Sequence, residues 1–307
     1  MSVHDDSEVT PRAVTAAEEL PGGRPKSMWR LGLEAFLENR LAVAGLVILV
    51  AALLFCFLGP LVYRTNQINT DLASVNLAPG TPGHPLGTDQ AGYDQLGRLM
   101  AGGQVSLTIG FAAAAISTVI GTLWGAVAGF FGGLVDTVMM RVVDALLAIP
   151  ALFLLLVLVT IVKPSMGMMI FVFGLTAWLI TSRLVRGESL SLRVREYVQA
   201  VRVMGGTSWR AVLRHIMPNV AGTVIVNATF QVADAILVVA YLGFLGLGIS
   251  PPATDWGGML NNGVNFIYTN DWWLIYPPGL AIIFVVVAVN FIGDGVRDAV
   301  EVRLRRR

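Results

Sequence analysis

Apolar positions along the chain gather into long uncharged runs separated by short polar segments. Residues 41–63 form the first run, and at about 1.5 Å per helical residue it covers a hydrocarbon layer of roughly 30 Å. Further runs occupy about 104–131, 145–162, 165–182, 218–248 and 274–292. Six such runs predict an all-α integral membrane protein with six transmembrane helices, because in lipid a helix satisfies every backbone polar group within itself. Pro150 predicts a kink in the third span, and Lys163-Pro164 a short turn after it.

The polar segments complete the map. Residues 1–25 mix acidic residues with Pro, Gly and Thr, show no periodic apolar face or signal-peptide core, and read as a disordered tail. In 26–40, Trp29, Leu33, Phe36 and Leu37 share one helical face flanked by Lys26, Arg30 and Arg40, which predicts an amphipathic helix lying at the membrane interface. Residues 64–103 form a loop rich in Pro, Gly, Asn and Asp, with little regular structure until about Asp94. A five-helix core spans 104–297 and contains two loops, 187–217 and 249–273, and 298–307 is a basic tail.

Two stripes stand out within the spans. Ser117, Gly121, Gly125 and Gly129 recur every four residues and offer a flat strip for another helix, the close packing that lipid leaves available. Thr223, Asn227, Gln231 and Asp234 share one face of the fifth span. A mid-membrane aspartate costs about 2.5–3.5 kcal/mol while each central Leu, Ile, Val or Phe returns about 0.3–0.6, so the helix inserts but keeps that face from lipid. The stripe either lines a translocation path or makes helix-to-helix hydrogen bonds.

The stretch 196–219 is polar and arginine-rich between apolar runs. Its first half reads as a short helix ended at Gly205-Gly206. Thr207 or Ser208 caps a second helix with Trp209, Val212, Leu213 and Ile216 on its apolar side, Arg210 and Arg214 on the other, and Pro218 opening the next long helix.

Composition supports the membrane reading: 55% hydrophobic, 13% charged and a mean hydropathy of +0.70 exclude an ordinary soluble domain. The single cysteine, Cys56, permits no intrachain disulfide. Neither lysine, Lys26 or Lys163, sits in a phosphate-cradling P-loop, so a nucleotide would have to be held by another subunit. His4, His84 and His215 have no metal-ligand spacing, and no nucleophile or acid–base set argues for an enzyme. Asp136, Arg141 and Asp144 are expected to pair locally. With both termini inside, the arginines of the amino-terminal segment, the loop holding Arg141, the 196–219 segment and the tail all fall on one side, leaving Arg64, Arg98 and Lys163 outside. Both termini and the 187–217 loop are thus expected in the cytoplasm, and 64–103 and 249–273 outside it.

The 196–219 segment resembles the coupling loop of permease subunits of bacterial ATP-binding-cassette importers. Ala200, Gly205, Ile216 and Pro218 stand in the places of that pattern, whereas Gln199 replaces its Glu and Val201 its second Ala. HPLGTDQAGYDQLGRLMAGGQVSL at 84–107 and GFLGLGISPPATDWGGML at 243–260 are similar to the dipeptide, oligopeptide and nickel branch of that family. The resemblance implies a bacterial inner-membrane permease that pairs with a second homologous permease subunit. Two ATPase subunits would carry ATP and Mg, an extracytoplasmic solute-binding protein would deliver peptides, and the chain itself would bind no cofactor, metal or nucleic acid. Nickel or another small solute is the alternative cargo, and an ion-driven carrier the alternative class, although Asp234 has no evident counterpart in the earlier spans. The residues implied in ATPase coupling are Glu196, Gln199, Ala200, Arg202, Gly205, Gly206, Trp209, Arg210, Arg214 and Pro218. Basic groups beside the spans would also anchor to anionic membrane lipid.

Overall fold

The computed structural model describes residues 28–161 and 164–305. The expected tail at 1–25, together with Lys26, Lys163, Arg306 and Arg307, lies outside the described residues. Among the described residues the long elements are all helices: α1 (Met28–Glu38), α2 (Arg40–Val62), α3 (Gln95–Phe131), α4 (Gly133–Leu147), α5 (Ala151–Ile161), α6 (Met166–Leu192), α7 (Glu196–Val203), α8 (Ser208–Ala211), α9 (Met217–Leu242), α10 (Trp256–Val264) and α11 (Tyr276–Arg305). The structure contains no β-sheet there, only two isolated bridges in the 64–94 segment.

Among the described residues, five helical stretches are long and apolar enough to cross a membrane: Arg40–Val62, Gln95–Phe131, Met166–Leu192, Ser208–Leu247 and Trp272–Glu301. The expected third span is divided into α4 and α5, neither of that length. Pro150 lies at the break, since it has no N–H to donate and its ring crowds the preceding turn.

α3 is the central helix, packing along α6 on one side and α9 on another, while α11 packs on α2, α9 and α1. α3 begins at Gln95, where regular structure was expected to start and upstream of the span's expected start at Gln104, because Asp94 caps it by accepting from the Gly97 N–H at 2.7 Å. Its polar first turns are buried against protein: Arg98 donates to the Pro252 carbonyl at 2.6 Å and Gln95 to the Trp273 carbonyl at 3.2 Å. α2 is apolar all round, and most of its side chains are exposed, the pattern of a peripheral helix facing lipid. Asn39 caps α2 and its amide also donates to Asp298 at 3.0 Å, tying α2 to α11.

Two further elements differ from expectation. α8 does not stop before α9; a π turn over Val212–Ile216 joins them into one rod. Pro218 cannot donate, the Met217 N–H reaches back to the Val212 carbonyl, and the Asn219 amide donates to the His215 carbonyl at 2.6 Å. Asp136 and Asp144 do not pair locally. They meet α6 instead, Asp136 in a two-pronged bond with Arg186 at 2.5 and 2.7 Å and Asp144 with Arg183 at 2.5 Å. A three-residue step is a weaker fit than a neighbouring helix presenting guanidinium forks, so tertiary packing chose the partners. The Arg186 guanidinium holds the Asp136 carboxyl below the usual carboxylate range.

Candidate functional site

The small residues of α3 let α6 approach. A Cβ on Gly121 would sit 2.6 Å from the Thr181 Cβ and 2.7 Å from the Trp178 carbonyl oxygen, and one on Gly129 would sit 2.6 Å from the Ser189 Cβ. At Gly125 it would collide with the Ser182 carbonyl and lie 2.9 Å from the Arg186 nitrogen. Ser117, one step up the same strip, turns toward α9 and donates to the Gln231 Oε1 at 2.5 Å.

That bond opens a buried polar network. Gln231 Nε2 donates to Thr181 Oγ1 and to Asn227 Oδ1 at 3.1 Å, and Thr181 donates to Asn227 Oδ1 at 2.9 Å. Lower on the stripe, Thr223 donates to Glu188 of α6. Three of the four stripe residues therefore bond to neighbouring helices, satisfying polar groups that lipid could not. Asp234 is the exception: it is exposed, and no hydrogen bond or ion pair reaches its carboxylate among the described residues.

Asp234 opens onto a cavity of about 240 Å³ between α3, the α4–α5 joint, α6 and α9. Phe173, Leu147, Phe230 and Tyr241 give it apolar walls, and Asn227, Gln231 and Thr176 contribute polar edges. Asp234 is the one charged side chain among its described lining residues, whereas Thr223 lies outside it. Thr181 and Glu188 were missed in the sequence. Their spacing of seven along the fourth span puts both on one helical face, and a search for polar periodicity there would have found them.

At the end of α3 opposite Gln95, α7 and α8 form a hairpin. Met204 and Gly206 donate back to the Ala200 and Val201 carbonyls at 2.9 and 2.8 Å, and Gly205 between them has φ +78°, a conformation that excludes most side chains. Thr207 caps α8 by accepting from the Arg210 N–H at 3.3 Å. Val198, Ala211, Val212 and Ile216 are buried with Phe130 and Val185, which seats the hairpin on α3 and α6.

The expected apolar side of the second arm is rotated. Val212 and Ile216 are buried, whereas Trp209 is 54% exposed and rests edge-on against Phe131, and Leu213 is exposed. Seating on the small Ala211 together with the π turn accounts for the rotation. Glu196, Gln199, Ala200, Gly205, Arg210, Arg214 and Pro218 are exposed and Gly206 is half-buried; the Arg202 side chain lies outside the described residues. Val203 and Met204, at 88% and 78% exposure, form an apolar tip. His215 and Tyr197 are in ring contact across the two arms.

Residues 121–306, which hold the close-packed half of α3, the hairpin and the α9 stripe, match the model of the family described as binding-protein-dependent transport system inner membrane component. The chain belongs to that family. Residues 27–79 match a second model, the N-terminal TM domain of oligopeptide transport permease C, which covers α1 and α2. The oligopeptide transport system permease protein OppC of Escherichia coli is 40% identical over 277 residues, 90% of this chain and 91% of that protein. OppC of Bacillus subtilis is 35% identical over 280 residues, 91% of each chain. The dipeptide transport system permease protein DppC of Bacillus subtilis is 36% identical over 269 residues, 88% of this chain and 84% of that protein. As a member of this family the chain is a multi-pass inner-membrane transport component. Its hairpin and, apart from Ala113 and Ala114, the lining of its cavity fall within the matched region.

Proposed function

We propose that this chain is the permease subunit of an ATP-driven importer of di- or oligopeptides. It forms the translocation path together with a second homologous permease, receives cargo from an extracytoplasmic binding protein, and is worked by two cytoplasmic ATPases that hold ATP and Mg. The observation that carries the reading is the similarity to oligopeptide and dipeptide permeases over about nine-tenths of the chain. Both termini and the hairpin face the cytoplasm in this reading, in keeping with the arginines gathered there. The end of α4 after Asp144 and α5 together make the third of six crossings, bent at Pro150, with Asp136 and Asp144 on its cytoplasmic flank.

In this reading the hairpin is the coupling element. Its exposed tip of Val203 and Met204 supplies an apolar contact for an ATPase surface, with Arg210 and Arg214 beside it. Because α8 runs through the π turn into α9, a push on the hairpin is transmitted as rigid-body motion to the helix that carries Asn227, Gln231 and Asp234. The polar network across α3, α6 and α9 moves as one unit, and the cavity beside Asp234 opens and closes with it.

The test is reconstitution of the chain with its partner permease, ATPases and binding protein in liposomes. ATP-dependent uptake of a labelled peptide is expected from the full complex and no uptake from this chain alone. Uptake by the isolated chain, driven by an ion gradient, would refute the reading.

A further inference from the structure

We infer that Asp234 makes this permease a charge filter: its carboxylate receives the positively charged amino terminus of a cargo peptide while the surrounding apolar wall takes the first side chain. The inference rests on the importer reading and adds a specificity-determining residue to it. Four observations carry it. The cavity holds one carboxylate and no basic side chain among its described lining residues. Asn227 and Gln231, the other strongly polar groups at its edge, are already bonded to each other and to Thr181 and Ser117, so Asp234 alone is left to face a ligand. A volume of about 240 Å³ is below the roughly 300–1,000 Å³ of a site that encloses a drug-sized ligand, so the cavity takes one end of a peptide and not the whole. Finally, a hard metal cation needs about six or more oxygen ligands, which one carboxylate among Phe173, Phe230, Leu147 and Val238 does not supply. An ammonium group attached to an apolar side chain matches both halves of the site.

The probes are phenylalanine amide, which carries a free ammonium, and N-acetylphenylalanine amide, which does not. In the assembled complex, with Cys56→Ser removing the native thiol, Val238→Cys places a reporter on the cavity wall for labelling by a maleimide. Phenylalanine amide is expected to protect this thiol at about tenfold lower concentration than the acetylated probe, since loss of one close charge pair in a partly desolvated site costs at least that. Asp234→Asn should abolish the preference and Asp234→Glu retain it. Equal protection by both probes, no protection by either, or a preference that survives in Asp234→Asn would overturn the inference. So would failure of Asp234→Asn to assemble, which would assign the carboxylate to a contact with the second permease. Absence of ATP-driven uptake by the wild-type complex would strike the importer reading alone and leave the protection result standing.

Discussion

Gly125→Ala tests the close contact between α3 and α6. The added methyl would meet the Ser182 carbonyl and lie 2.9 Å from both the Arg186 nitrogen and the Val185 Cβ, so backbone must move and not merely a side-chain tip. Overpacking of this kind costs about 1–3 kcal/mol. Against it, replacing a helical glycine by alanine returns about 0.5–1 kcal/mol of conformational entropy and helix propensity. The expected net is a destabilisation of about 1–2 kcal/mol, with the melting midpoint lower by about 2–3 °C for a chain of this size. Gly187→Ala on α6 is the matched control, because nothing lies within 4 Å of the Cβ it would add and only the propensity gain remains. The two substitutions make the same chemical change and should move the midpoint in opposite directions. Thermal unfolding in detergent, followed by tryptophan fluorescence, gives the midpoint, and Trp124, next to Gly125 and edge-on against Trp178 of α6 at 4.9 Å, contributes to the signal. An unchanged midpoint for Gly125→Ala, or a loss of stability in Gly187→Ala as large as that in Gly125→Ala, would refute the account.

Other outcomes follow from the same geometry. Asp136→Asn and Arg186→Gln should each destabilise the α4–α6 contact, and the double variant by less than the sum, measured as a double-mutant cycle. Because the folded-state pKa of Asp136 is lowered, its contribution is full above the ordinary aspartate range near pH ~4 and is lost as pH falls through the lowered value; Asp136→Asn should flatten that acid limb in pH-dependent melts. Charge reversal at Arg210 or Arg214, both exposed, should weaken co-purification of the ATPases while leaving the melting midpoint within about 1 °C, and equal losses of both would count against a docking role. Gly205→Trp meets nothing within 4 Å of its Cβ, so it should still insert and assemble despite about 1–2 kcal/mol of backbone strain at φ +78°, but it should stop ATP-driven uptake. Unimpaired transport would remove the hairpin from the coupling scheme.

The membrane class and the helical content were legible in the sequence because a 30 Å apolar layer admits few solutions: long uncharged runs must be helices, and Leu, Val and Phe between Arg40 and Val62 leave no other choice. The periodic placement of Gly121, Gly125 and Gly129, and of Asn227, Gln231 and Asp234, was equally readable, because helical geometry converts spacing into a face. A face, however, does not name its partner. Only the packed structure decided that the glycines meet α6, that Gln231 is shared between Ser117 and Thr181, and that Asp136 and Asp144 reach across to Arg186 and Arg183. Regular structure from about Asp94 was readable, but not that the span's helix already runs through Gln95 and Arg98, which the 249–274 segment covers. The difference between Asn227, which is bonded, and Asp234, which is left open to a cavity, lies wholly in tertiary structure, because both sit on the same stripe and only the neighbouring helices determine which of them finds a partner.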